Sequence, residues 1–245
     1  MTERMYSDLA DWWHLLSAVD EYVEEAALFR TALLDHAANR PRTLLELGSG
    51  GGNNAFHLKS DFEMTLVDLS DDMLRQSRRI NPELTHHQGD MRDTRLGQVF
   101  DAVFIHDAID HMVSREDLAR ALTTAFVHCR PGGVAVFVPD STAERFEPGT
   151  SSGGTDDGAC GFRYLEWSWD PDPTDETAVT DYAFLIRDAQ GDVRCAHDRH
   201  VHGLFAREVW MDTMRSTGFD PAARVYDHSD LPNGYEIFIG RKPVA

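Results

Sequence analysis

Apolar positions along the chain fall into two rhythms, one of helices and one of short buried strands. Residues 20–38, DEYVEEAALFRTALLDHAA, set Val23, Ala26, Ala27, Phe29, Leu33 and Leu34 near helical spacing, with acids in the first turn. The aromatic-rich stretch before it, MYSDLADWWHLLSAV, predicts a shorter helix or a lid. From residue 43 onward strand and helix signals alternate. TLLEL (43–47) predicts a strand and 53–59 the start of a helix. FEMTLVDL (62–69) predicts a second strand, after which Ser70 caps a helix reaching about Arg79. LTHHQGD gives a third strand, VFDAVFIHD (99–107) a fourth, REDLARALTTAFVHC a helix and GGVAVFVPD (132–140) a fifth. Regular alternation of this kind predicts a parallel, doubly wound α/β sheet.

The rhythm breaks after Asp140. Residues 147–159, EPGTSSGGTDDGA, read as a polar, glycine-rich loop. Segments 162–169, 177–187 and 192–205 are rich in β-branched and aromatic residues, with turns at DPDP (170–173) and DAQGD (188–192), and predict an antiparallel insertion. Helical spacing returns over 204–219 and stops at Gly218. Segments 221–229 and 234–241 would then complete a seven-stranded, mostly parallel Rossmann-like sheet as a hairpin through LPNG. The expectation is one domain over 1–245: a helical lid (1–40), a cofactor-binding core (41–140), an antiparallel cap (141–205) and a closing helix and hairpin (206–245).

Charge narrows the partners. Forty-two acidic against 23 basic side chains give a formal net charge of −19, a field that repels nucleic-acid backbones and anionic membranes. No apolar run approaches the roughly 18 residues of a membrane span. The N-terminus lacks the basic start and apolar core of a secretory signal. Cys129, Cys160 and Cys195 are an odd set at wide spacing, which points to a reducing, cytoplasmic compartment.

The chemistry concentrates at TLLELGSGGGNN. Both dinucleotide-binding and adenosyl-binding proteins place a glycine turn after the first strand. Here the order is Glu46-Leu47-Gly48-Ser49-Gly50-Gly51-Gly52, and a carboxylate at the strand end would repel a pyrophosphate but suit a ligand carrying ammonium and sulfonium charge. Asp68 ends the second strand twenty residues after Gly48, where a carboxylate can take both ribose hydroxyls. Asp90 ends the third, where contacts to an adenine edge would lie.

ELGSGGG, TLVDLS, GDM, FDAVFIHDAIDHM and CRPGGVAVF, in that order over residues 43–138, resemble the motif set of class I S-adenosylmethionine-dependent methyltransferases. The resemblance implies that Glu46, Gly48 and Gly50 face the methionine end of S-adenosylmethionine and Asp68 the ribose. It sets Leu69, Met73, Asp90 and Met91 around the adenine, and His106 behind the sulfonium through its main-chain carbonyl. The product would be S-adenosylhomocysteine.

The acceptor belongs at the carboxyl edge of the sheet. There His106-Asp107-Ala108-Ile109-Asp110-His111 puts two histidines and two acids within six residues. His111 is the candidate base or orienting group, followed by Asp107 and Asp110. The segment is not the N/D-P-P-Y/F type used on amide or base nitrogens, and no Pro-Cys pair offers a thiol to attack cytosine. Tyr22-Val23-Glu24-Glu25-Ala26, GDMRD (89–93), His111 and HVHGLFARE (200–208) are similar to the N,N-dimethyltransferases that act on nucleotide-linked amino sugars. In that family the insertion builds the acceptor pocket and subunit contacts, which leaves a homodimer open. The chain departs from it in the His-Asp pair after the fourth strand and in WWHLL and RYLEWSWDPDP.

Tyr6, Trp13, Tyr22, Arg163, Tyr164 and His200 are further candidates for contact with a small-molecule substrate. His197, His200 and His202 raise a metal possibility, since His200 and His202 share a strand face with Asp198, yet this transfer needs none and surface or pocket-lining histidines are the reading adopted. The expected activity is methyl transfer to a nitrogen or oxygen of a small metabolite, an amino sugar among the options. The alternatives are a non-catalytic S-adenosylmethionine-binding regulatory module and a metal-assisted O-methyltransferase.

Overall fold

The computed structural model describes residues 3–229 and 231–244, and its central sheet starts where the leucine run becomes strand β1. The N-terminal segment holds the one-turn helix α1 (Trp13–Leu16), and α2 follows at Val23–His36. The alternating core comprises β1 (Thr43–Leu47), α3 (Asn53–Leu58), β2 (Glu63–Asp68), α4 (Asp71–Ile80), β3 (Thr85–Gln88) and β4 (Phe100–His106). It continues through a 3-10 turn at Ala108–His111, α5 (Arg115–His128) and β5 (Cys129–Val138). The cap contains β6 (Gly149–Gly153), β7 (Asp156–Asp157), β8 (Cys160–Trp169), β9 (Thr177–Arg187) and β10 (Val193–Gly203). The chain closes with α6 (Arg207–Thr217), β11 (Asp220–His228) and β12 (Leu231–Arg241).

The main sheet has seven strands in the order β11-β12-β5-β4-β1-β2-β3, and β12 alone runs against the rest. Strand β1 is buried on both faces because each face is covered by helices, as a parallel sheet requires. Alternation sorts its residues. Leu45 and Leu47 join Val103, Ile105 and Phe137 under Leu122 of α5 and Trp210 of α6. Leu44 joins Phe104 and Val136 beneath Phe29 and Leu33 of α2. Each such large apolar side chain contributes about 1.5–3 kcal/mol on leaving water. Glu46 shares the face of Leu44, so the α2 layer is where its carboxyl must be accommodated.

The five cap strands form a separate antiparallel sheet, β10-β9-β8-β6 with β7 on β8. Its inner face (Phe162, Phe184, Ile186, Ala196) packs on Met5 and Leu9, so the N-terminal segment is held between cap and core. Two expectations are corrected. Residues 147–159 are not simply loop: Gly149–Gly153 and Asp156–Asp157 pair with β8, because an edge strand needs only backbone partners. LPNG is not the hairpin turn; Leu231 already pairs with His228, so the reversal precedes it and LPNG begins β12.

Candidate active site

At the end of β1 the chain turns through Gly48, whose φ is +72°. A Cβ there would stand 2.3 Å from Ala108 Cβ and 2.8 Å from Met91, so only glycine lets the turn lie against the Ala108 segment. At Gly51 a Cβ would stand 2.2 Å from the Trp13 ring, which covers the turn from above. The turn is tied to the end of β2: Gly50 N donates to Asp68 Oδ2 at 2.7 Å, and Ser70 N donates to Asp68 Oδ1 at 2.8 Å. Burial raises the Asp68 carboxyl and those backbone donors oppose the rise. Leu69, beside it, is 65% exposed to the cleft.

Glu46 is buried, and its Oε2 has no hydrogen-bond partner. Burial, then repulsion from Asp68 and Glu25, pushes its carboxyl up to about 8. Asp90 is clamped by Arg92, whose Nη2 lies 2.6 Å from Oδ2, and the guanidinium holds the carboxyl below its usual range. Met91 packs under the turn.

The opposite wall is built where β4 and β5 end. His106 turns toward α2: Asn54 Nδ2 donates to its Nδ1 at 3.0 Å, and Glu25 Oε1 lies 3.8 Å away. Burial lowers its basicity. Asp107 has a φ of +40°, the one positive value among the described non-glycine residues. Its Oδ1 lies 2.7 Å from His106 Nε2, and its carboxyl is close enough to that of Asp140 for each to perturb the other. Burial raises Asp107, while the charge of Asp107 is the main cause raising Asp140. Half of the Asp107 side chain is open to the cleft, so solvent there tempers these shifts.

His111 Nδ1 is 3.5 Å from Glu3 Oε1, with the Tyr6 ring edge-on at 5.5 Å and His202 at 5.6 Å. Burial disfavours its charge, but Glu3 in particular outweighs that and raises its basicity. His200 Nε2 donates to Asp198 Oδ2 at 3.0 Å, and the same oxygen takes the Met5 N–H at 2.9 Å. Tyr22 shares a 2.6 Å hydrogen bond with Ser17.

All of this lines one cleft of about 1570 Å³. A pocket for one drug-sized ligand holds ~300–1,000 Å³, so there is room for two ligands side by side. Fifteen of the sequence-selected residues reach it: His111, Asp107, Glu46, Gly48, Gly50, Asp68, Leu69, Asp90, Met91, His106, Tyr6, Trp13, Tyr22, Tyr164 and His200. Three do not. Asp110 is buried, with Oδ2 accepting the Asp140 N–H at 2.7 Å, because the 3-10 turn rotates it inward. Met73 lies in the core beneath Gly50. Arg163 is on the outer face of β8, paired with Asp156 at 2.8 Å, because alternation sends Phe162 and Tyr164 inward instead.

Sequence reasoning missed Asp140, Glu25, Asn54 and Glu3. Asp140 lies two residues past the end of β5 and was findable by the rule that selected Asp107. Glu3 and Glu25 reach the cleft only through tertiary packing, which no local pattern records. Among the described residues no group of three or more His, Cys, Asp or Glu is arranged to hold a metal.

Comparison with known proteins agrees with this geometry. Residues 44–133 match the family described as Methyltransferase domain. The chain is 30% identical over 236 residues to the dTDP-3-amino-3,6-dideoxy-alpha-D-glucopyranose N,N-dimethyltransferase of Streptomyces fradiae, covering 96% of this chain and 89% of the relative. It is 29% identical over 244 residues to the dTDP-3-amino-3,4,6-trideoxy-alpha-D-glucopyranose N,N-dimethyltransferase of Streptomyces venezuelae, covering 98% and 99%. The crystal structure of Streptomyces venezuelae DesVI superposes with a TM-score of 0.80 at 27% identity, covering 97% of this chain and 98% of that one. The chain therefore belongs to the class I S-adenosylmethionine-dependent methyltransferases, in the branch of small-molecule N-methyltransferases.

Proposed function

We propose that the cleft binds S-adenosylmethionine on the glycine-turn wall and a small amine, of the amino-sugar class, on the wall formed by the ends of β4 and β5. The observation that carries this is Asp68, bonded to both Gly50 N and Ser70 N, facing the cleft that also contains His111. Its remaining lone pairs suit the two ribose hydroxyls. The unpartnered Glu46 Oε2 is an acceptor in want of a donor, and the ammonium of a methionine moiety is such a donor. Exposed Leu69, with Asp90 and Met91, would flank the adenine, while Met73 only supports the turn from below.

When bound, S-adenosylmethionine supplies an electrophilic methyl group on a sulfonium. The chain's residues do the rest. The main-chain carbonyl of His106 would back the sulfonium side. His111, steered by Glu3 and Tyr6, orients the acceptor and takes the proton that the amine must shed to expose its lone pair. His200, fixed by Asp198, and Tyr164 on the cap complete the acceptor wall.

We read residues 1–40 as lid, 41–140 as cofactor core, 141–205 as cap and 206–245 as closing segment of one domain. A homodimer would use the outer face of the cap, where Leu165, Trp167, Leu185 and Val201 stand exposed. Three free cysteines suit a reducing cytoplasm, and no described helix is long and apolar enough to cross a membrane. The test is S-adenosylhomocysteine release with a panel of small amines that includes nucleotide-linked amino sugars. Turnover of an amine supports the proposal, and turnover confined to alcohols or phenols overturns the nitrogen assignment.

A further inference from the structure

We infer that Asp107 and Asp140 together seat a positively charged amino group, and that the acceptor is an amine free of phosphate, unlike the nucleotide-linked sugars named for the relatives. The inference rests on the methyltransferase reading and concerns only the acceptor half of the cleft.

The first observation is the construction of the pair. His106 and Val138 are register partners on neighbouring parallel strands, so the chain delivers Asp107 and Asp140 from adjacent strand ends. Asp107 is held at φ +40°, with its N–H on Val138 O at 2.9 Å, a conformation that costs a non-glycine residue energy. Asp140 is held by Asp110, a buried carboxyl whose one evident task is to accept the Asp140 N–H. Two acids that repel one another are thus brought together at the wall of the cleft, where the nearest partner of Asp107 Oδ1 is His106 Nε2 at 2.7 Å, an imidazole whose basicity burial lowers. Positive charge brought between them relieves that repulsion.

The second observation is independent of the pair. Beside it, Glu25 and Asn54 are buried and line the cleft. Glu25 Oε2 takes the Tyr235 hydroxyl and Asn54 Nδ2 is spent on His106, yet Glu25 Oε1 and Asn54 Oδ1 have no hydrogen-bond partner. Both are acceptors. They call for N–H donors, which an ammonium brings and a phosphate does not.

The third is what the cleft lacks. Its two guanidinium groups are already engaged: Arg92 with Asp90 at 2.6 Å and Asp117 at 3.3 Å, Arg199 with Asp181 at 2.7 Å. Among the described residues no lysine lines it. The histidines facing the pair are His106, His111 and His202, and burial lowers the basicity of the first and the last. A diphosphate would meet carboxylates where it needs cations.

The test uses the full chain saturated with S-adenosylhomocysteine, titrated by calorimetry with spermidine and, separately, with thymidine diphosphate. Spermidine should bind to the wild type and at least ten-fold more weakly to Asp140→Asn and to Asp107→Asn, with thymidine diphosphate giving no heat in the same range. Both variants should keep wild-type affinity for S-adenosylhomocysteine, which shows the fold intact. Thymidine diphosphate binding, absence of spermidine binding, or spermidine binding unaffected by both substitutions overturns the inference. Failure of S-adenosylhomocysteine itself to bind the wild type would instead remove the methyltransferase reading.

Discussion

The Gly50 N–H and the Asp68 carboxylate stand 2.7 Å apart, and this bond joins the turn after β1 to the end of β2. The carboxylate is therefore pre-oriented before any ligand arrives. Asp68→Ala removes that orientation together with the acceptor proposed for the ribose. We expect S-adenosylmethionine affinity to fall by about 1.5–3 kcal/mol, the scale of hydrogen bonds to a charged group. Calorimetry checks this, and an unchanged affinity would reassign the ribose.

Gly51 and Trp13 make a second pair. Because a Cβ at 51 would stand 2.2 Å from the indole, Gly51→Ala should destabilise the fold by about 1–3 kcal/mol, the cost of overpacking. Trp13→Ala opens that space. In the double variant the added cost of Gly51→Ala should nearly vanish, a coupling that chemical denaturation measures directly. Additive losses would mean that Trp13 does not press on the turn.

Glu46 gives a pH signature. Its carboxyl is raised to about 8 in the folded chain from an ordinary value of 4.5. Between those values the folded state holds a proton that the unfolded state has released, so this group's contribution to stability is full below the lower value. It is lost as pH rises through the higher one, by an amount on the order of a few kcal/mol. Glu46→Gln should flatten the decline of melting temperature between about pH 5 and about pH 8. An unaltered slope would place the ionisation elsewhere.

The pairing of His111 with Glu3 predicts a kinetic result. His111→Ala should lower kcat by about 10²–10⁴ with little change in S-adenosylmethionine affinity. Glu3 favours the imidazolium, so the acid limb of the rate profile should sit above the ordinary histidine value. Glu3→Gln should move that limb to lower pH. Equal losses in turnover and donor affinity would make His111 a scaffold residue.

Much of the architecture is legible because period and composition report directly on burial. TLLEL and VFDAVFIHD are strands covered on both faces, and the glycine turn announces itself by residues no other local structure needs. The wall that carries Glu46, Asp68 and Asp90 was readable for the same reason, since each lies at or just beyond the C-terminal end of a strand. Side-chain direction was less so. Asp110 and Asp107 look equivalent in HDAIDH, yet a 3-10 turn sends one inward and leaves the other in the cleft. Arg163 and Tyr164 differ only in strand parity, which one residue of register uncertainty reverses. Glu3, Glu25 and Asn54 were invisible because their meaning comes from packing across more than 50 residues of sequence, as Asn54 with His106 shows. Residues 149–153 pair at a sheet edge without any apolar face, so no pattern marked them as strand.

The most direct test of the account is calorimetric titration of the wild-type chain with S-adenosylhomocysteine. The account predicts saturable binding at a single site, weakened in Asp68→Ala. No binding of S-adenosylhomocysteine or S-adenosylmethionine at any accessible concentration would contradict it.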